Sequence, residues 1–275
     1  MLQYLKSQNQ LLVIKSDKNL GPALIEKDKY IHYAYHDHLS NKTVYRSMTK
    51  QDILNRMQAI HKLLQHFRTT YLCNKVDKND RVFLDRHLQR YEAEWKKQGD
   101  PPLAQLYLLA KVHKTPLATR PIISVNGTIL YGLGQWVDHK LQSLIKEFPE
   151  RFPYYIKSSQ HMVDRIQSLH LPDNCQFFSC DAVSMYTNIN TAHTLHVLSN
   201  FFQSFPKNTI HPGLLVGIKL IMTHSIFQCG TSYWLQLSGT AMGTPPAPMY
   251  ATLYFCIHEE TTIPQFNNQI LFYGQ

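Results

Sequence analysis

Asp181 closes a short, mostly apolar run, Gln176-Phe177-Phe178-Ser179-Cys180. A run of this length beside a turn-prone polar segment predicts a buried strand. An acid at its end then stands at the rim of a sheet. A fixed carboxylate oxygen there can hold Mg²⁺ against a substrate phosphate, which is what metal-dependent phosphoryl transfer needs. A lone Asp after a strand is more often a turn or cap residue, so on the residue alone both readings stand. Five positions further on comes Tyr186, followed by Thr187-Asn188-Ile189. Its ordinary role is a packing aromatic.

A second set of candidates is cationic. Residues 105–112 and 121–125 read as strands joined by 114–119, and the inner ends of this hairpin carry Lys111, His113, Lys114 and Arg120. Arginine suits phosphate because its planar fork donates to two oxygens at once. Near the start, Lys15 and Lys18 flank a turn at Asp17-Lys18-Asn19; they are either solvated or in contact with nucleic acid or a triphosphate. Between 237 and 248 lie Gly239, Gly243 and three prolines. Such a segment is an ordinary turn or a loop that lets backbone approach a ligand closely.

The surrounding elements follow from periodicity. Residues 11–14 and 23–25 read as a strand pair. Thr49 and Asp52 make a capping box with Asp in the usual Glu position, and Ile53, Met57, Ile60, Leu64 and Phe67 then mark one helix face. Leu84, Leu88, Tyr91 and Trp95 mark a second helix, which Gly99-Asp100-Pro101-Pro102 should end. The cations off these stripes, Lys62, Arg68, Arg81, Arg86 and Arg90, are a solvated face or a nucleic-acid contact. Further helices are predicted from Leu130 to Leu144, from Met162 to Leu169, from Leu195 to Phe202, after Pro212, and over 249–260. A hairpin turns at Gly230, and 269–275 reads as a strand.

The chain has 275 residues, 44% of them hydrophobic, and so is long enough to bury a core. Its net charge of +9 at pH 7, with fifteen further histidines, suits a polyanionic partner, nucleic acid first, or simply a basic soluble protein. The five cysteines form no C-x-x-C pair, which indicates neither a zinc site nor a disulfide framework. The Met1-Leu2-Gln3-Tyr4-Leu5-Lys6 start lacks signal-peptide architecture, and no apolar run reaches membrane-spanning length. An intracellular protein, nuclear or cytoplasmic, without membrane contact is the expectation.

Phe177-Phe178-Ser179-Cys180-Asp181-Ala182-Val183-Ser184-Met185-Tyr186-Thr187-Asn188-Ile189 resembles motif A of reverse transcriptases, in the form found in Penelope-like retroelements. Leu108-Leu109-Ala110-Lys111-Val112-His113-Lys114, with Arg120-Pro121-Ile122-Ile123-Ser124, resembles their fingers hairpin. Ser238-Gly239-Thr240-Ala241-Met242-Gly243-Thr244, with Ala247-Pro248, resembles motif B, and Asp17-Lys18-Asn19 resembles a short upstream Asp-Lys motif. The four occur in the family's order. Two departures are visible: Ala110 stands where proline is frequent, and Ala241-Met242-Gly243 replaces the Pro-Gln-Gly of many reverse transcriptases, so that glutamine's contacts do not carry over.

The resemblance implies an α+β, right-hand polymerase fold: fingers and an incomplete palm, with an antiparallel palm sheet backed by helices and a helical N-terminal part. It divides the chain into a fingers-associated region (1–100), the fingers hairpin and helices (101–174), and a partial palm with motifs A and B (175–275). It implies RNA-directed DNA polymerase activity by two-metal nucleotidyl transfer. The ions are Mg²⁺, with Mn²⁺ as the substitute, held by Asp181 and the backbone carbonyl of Ala182. Lys111, Arg120, Tyr186 and Gly243 would meet the incoming deoxynucleoside triphosphate, Tyr186 as a steric gate against a ribose hydroxyl. Lys18, His113, Lys114 and Gly239 would meet a primed RNA or DNA template. Oligomeric state is left open. The family's Tyr-x-Asp-Asp motif C is absent, and Asp-Asp occurs nowhere in the sequence. The chain as given is therefore expected to be incomplete and inactive. The alternative is a non-catalytic nucleic-acid-binding remnant of such an enzyme.

Overall fold

The structure is a computed structural model and describes residues 10–275; the Met1-to-Lys6 stretch read above lies outside them. Strands β1 (Leu11–Lys15) and β2 (Pro22–Glu26) pair antiparallel as a separate two-stranded sheet. Between them Lys18 and Asn19 take left-handed backbone angles, φ 57° and 55°. Helix α1 (Lys27–His32) runs on into a π-helical segment, Tyr33–Leu39, and β3 (Tyr45–Met48) follows.

The predicted capping box forms in full at Thr49 and Asp52 and opens α2 (Lys50–Tyr71), whose whole apolar stripe is buried. Helix α3 (Lys78–Gln98) stops at Gly99, which takes φ 78° and donates its N–H to the Trp95 carbonyl. The long hairpin is β4 (Ala104–Lys111) and β5 (Ala118–Ser124). Along β4, Leu106, Leu108 and Ala110 are buried while Gln105 and Tyr107 face out, the period-two alternation of a half-covered strand.

Next come α4 (Tyr131–Glu147), α5 (Ser159–Gln167), the single turn α6 (Met185–Asn188), α7 (Thr191–Gln203) and α8 (Leu214–Thr223). Pro212 stands two residues before α8 rather than in its first turn, because Gly213 is the cap. The hairpin β6 (Ile226–Cys229) and β7 (Ser232–Gln236) turns at Gly230, and α9 (Ala247–Thr262) follows.

A five-stranded sheet has the order β3-β7-β6-β4-β5, antiparallel except for β4 beside β6. Its β3 comes from the N-terminal region, which is thereby tied to the strands at 226–236. One core lies among the helices, around Phe67, Leu133, Trp136, Leu198, Ile218 and Tyr250. A smaller one, around Leu39, Tyr45, Leu108, Ile123 and Phe227, involves the sheet and the π-helical segment.

The expected palm sheet is the main correction. Neither 176–180 nor 269–275 is a strand, and the sheet is built from other parts of the chain. A strand persists only where a neighbour takes up its backbone N–H and C=O groups. Among the described residues, no strand pairs with 176–180, and Phe177 and Phe178 are 73% and 85% exposed. The last residue is instead bonded to the loop before α5. Gln275 donates its N–H to the Tyr154 carbonyl at 2.8 Å, and Ile156 donates to the Gln275 carbonyl at 2.7 Å.

Candidate nucleotide and nucleic-acid site

The turn at 184–188 is set by local hydrogen bonds. Ser184 takes a left-handed conformation, φ 49°, and its carbonyl accepts from the Thr187 hydroxyl at 3.0 Å. The Asn188 amide donates to the Val183 carbonyl at 3.1 Å. This turn aims Tyr186 inward, where its partly buried ring packs on the helical core.

The glycine loop then fastens two distant parts together. Thr240 donates its N–H to the Tyr186 carbonyl at 2.7 Å, and the Thr191 hydroxyl donates to the Gly239 carbonyl at 3.2 Å. Gly239 has φ 76°, and a Cβ there would collide with the Tyr186 carbonyl oxygen and stand 2.8 Å from Thr187 Cα. Three residues on, Ile123 of β5 donates its N–H to the Met242 carbonyl at 2.8 Å. Gly243 has φ 114°, and its Cβ would strike the Ile123 carbonyl oxygen. The close approach at both glycines is to the protein's own backbone. The loop staples the Tyr186 turn to the root of the long hairpin.

Arg120 lies on β5 opposite Leu109. Its Nη1 is 3.2 Å from Oδ1 of Asp17, a residue only 5% exposed. Asp17 Oδ1 also accepts the Lys18 N–H at 3.0 Å, while its Oδ2 has no hydrogen-bond partner. The small β1–β2 sheet is joined to β4 by a parallel bridge between Ser16 and Ala110. Lys18 therefore stands exposed on a turn anchored beside the hairpin that carries Lys111, His113 and Lys114. Lys111 is partly buried, and the other two are exposed at the tip.

The sequence places Asp17 in the Asp17-Lys18-Asn19 stretch but not beside Arg120. It gives no sign of a second support, His38, whose Nε2 lies 2.8 Å from the Thr119 hydroxyl on β5. Burial pushes the His38 imidazole below its ordinary pKa; Asp37 opposes this and Lys111 reinforces it. Of the helix cations, Arg68 is taken up by Asp85, 2.7 Å away, which ties α2 to α3.

Asp181 is not at a sheet rim. It is exposed on irregular backbone. Burial and a 2.6 Å hydrogen bond to Glu259 raise the Tyr273 pKa. Glu259 is itself buried and held above the ordinary carboxyl range by that burial. Its Oε1 accepts the Tyr273 hydroxyl, and its Oε2 is buried without a hydrogen-bond partner. Among the described residues, no group of three or more close metal-ligating side chains includes Asp181.

No family model matches the chain, and no curated protein is similar to it in sequence. Among solved structures, the telomerase of Candida albicans, in complex with the TWJ fragment of telomeric RNA, is similar in fold. The TM-score is 0.55 at 9% identity, over 98% of this chain and 44% of the telomerase chain. The chain shares its fold with part of that telomerase chain. It spans less than half of that protein's length. Among the described residues, no helix is long and apolar enough to cross a membrane.

Proposed function

We propose that this chain is the fingers and part of the palm of an RNA-directed DNA polymerase, a reverse transcriptase domain of the Penelope-like retroelement type. The observation that carries the reading is the glycine staple. Three stretches picked out separately in the sequence, around 123, 186 and 239–243, meet through two glycines that admit no Cβ. The fold likeness to telomerase supports it.

In this reading Arg120, oriented by Asp17, turns its fork to a triphosphate, with Lys111 as a second cation. Tyr186 stands against the sugar as a gate, its backbone fixed by Thr240, and Gly243 lets the loop approach the nucleotide. Lys18, His113, Lys114 and Gly239 line the path of the primed template. Asp181 and the Ala182 carbonyl are the donors offered to Mg²⁺. They do not amount to a two-ion site: two close cations need several anionic oxygens, and one exposed carboxylate on irregular backbone supplies too few. That shortage favours the second reading for the chain as it stands, a module that binds nucleic acid without extending a primer.

Two measurements test this. Fluorescence anisotropy with a labelled primer–template should show binding that falls steeply with salt, by about a thousandfold or more between 50 and 200 mM if six or more phosphates are contacted. Lys18→Ala and Lys114→Ala should each flatten the log–log slope by about one contact. Salt-independent binding, or none, would remove the nucleic-acid role. Primer extension by the 275-residue chain with Mg²⁺ or Mn²⁺ should give no product above an Asp181→Ala control. Product that depends on Asp181 would show that this one carboxylate suffices and would exclude the binding-only reading.

A further inference from the structure

We infer that the helical segment entering the π-helical Tyr33–Leu39 stretch carries a transition-metal site formed by His32, His36 and Asp37. The site stands apart from the polymerase reading and does not depend on it.

The π winding is the first observation. Helix α1 passes without interruption into seven residues of π-helix. Such windings are rare and recur at functional sites. In an α-helix a residue five places ahead lies about 140° round the axis, so His32 and Asp37 would diverge. Hydrogen bonds from i to i+5 widen the turn, and positions i+4 and i+5 both return beside i. The sequence His32-x-x-x-His36-Asp37 thereby gathers on one face.

The second observation is the geometry that results. Each of the three residues offers one ligand atom, and these atoms all lie within 4.8 Å of one another. The His32 and His36 rings stack at 4.7 Å with an interplanar angle of 14°. His36 Nδ1 is 3.3 Å from Asp37 Oδ1. All three side chains are exposed, so an ion would keep water at its remaining positions. The nearest lysine on the helix, Lys29, is already paired with Glu26 at 3.0 Å.

Two imidazoles and a carboxylate suit Zn²⁺ and its neighbours in the first transition row, whereas Mg²⁺ prefers an all-oxygen shell. The site is therefore chemically distinct from Asp181. Its position gives it a consequence. The same segment is anchored inward by His38 on Thr119 and by the Tyr35 hydroxyl, 2.6 Å from the Ser232 hydroxyl. An ion on the outer face would lock the turn that braces β5 and β7.

Calorimetric titration of the chelator-treated chain with Zn²⁺ should show one ion bound per chain, and Mg²⁺ should give no comparable binding. His32→Ala and His36→Ala should each weaken that binding at least tenfold, with unchanged circular dichroism because both side chains are exposed. Undiminished affinity in both variants would place the ion among the other histidines and overturn the assignment. A readout without variants is protection: Zn²⁺ should shield His32 and His36 from carbethoxylation, mapped on the peptide spanning the segment. Equal modification with and without Zn²⁺ would overturn it as well.

Discussion

Gly239→Ala should destabilise the chain far more than Gly127→Ala, although the two glycines share nearly the same backbone angle, φ 76° and 75°. Both substitutions incur the left-handed penalty of an L-residue, about 1–2 kcal/mol. At Gly127 that is the whole cost, because an added Cβ meets nothing within 4 Å. At Gly239 the new carbon runs into the Tyr186 carbonyl oxygen and comes within 2.8 Å of Thr187 Cα and 3.1 Å of the Thr187 carbonyl oxygen. These are backbone atoms, which cannot swing aside as the end of a side chain can. Making room means parting the loop from the turn and losing the Thr240-to-Tyr186 and Thr191-to-Gly239 hydrogen bonds, each worth about 1 kcal/mol net. The expected loss is about 3–4 kcal/mol, in the upper part of the range that single substitutions reach. Urea denaturation of the two variants side by side isolates the collision from the backbone strain. Equal losses would mean that the loop yields freely and does not fix Tyr186.

What the sequence made legible was local and periodic. The stripe from Ile53 to Phe67 names one helix face whatever else the chain does, and Thr49 with Asp52 closes its own cap. Gly99 and Gly230 stop a helix and turn a hairpin through their own backbone freedom. What stayed hidden depends on partners far away in the chain. The apolar run before Asp181 has the composition of a strand, but composition does not supply the neighbour that a ladder requires. The π-helical segment carries aromatic and imidazole side chains with no apolar stripe to announce it. The pairing of β3 with β7 joins residues nearly two hundred positions apart. For Gly239 and Gly243 the residues alone favour an ordinary turn. The carbonyl oxygens of Tyr186 and Ile123, facing the missing Cβ atoms, show that each also packs against distant backbone of the chain.

Arg120→Ala alone should lower stability by about 2–3 kcal/mol, between the 0–1 kcal/mol of an exposed pair and the 3–5 kcal/mol of a broken buried one. The intermediate value reflects an asymmetric pair: the Asp17 side chain is 7% exposed and the Arg120 side chain 41%. Without the guanidinium, Asp17 keeps only the Lys18 N–H, and its second oxygen already lacks a partner. That structural loss would mask any contribution of Arg120 to nucleotide binding, so the single variant cannot test the proposed role. Asp17→Asn removes the buried charge while leaving the half-exposed arginine solvated, at a smaller cost of about 1 kcal/mol. The double variant Asp17→Asn/Arg120→Ala should then be more stable than Arg120→Ala, with a coupling energy above about 1 kcal/mol. Against the Asp17→Asn background, the fate of the arginine can be read in binding alone. If Arg120 holds a phosphate, its removal there should weaken binding of a fluorescent deoxynucleoside triphosphate by roughly ten- to a hundredfold, the worth of a charge-assisted hydrogen bond of about 1.5–3 kcal/mol. Identical binding by Asp17→Asn and the double variant would leave Arg120 as a clasp between the Asp17 turn and β5, and the nucleotide contact would have to be sought at Lys111.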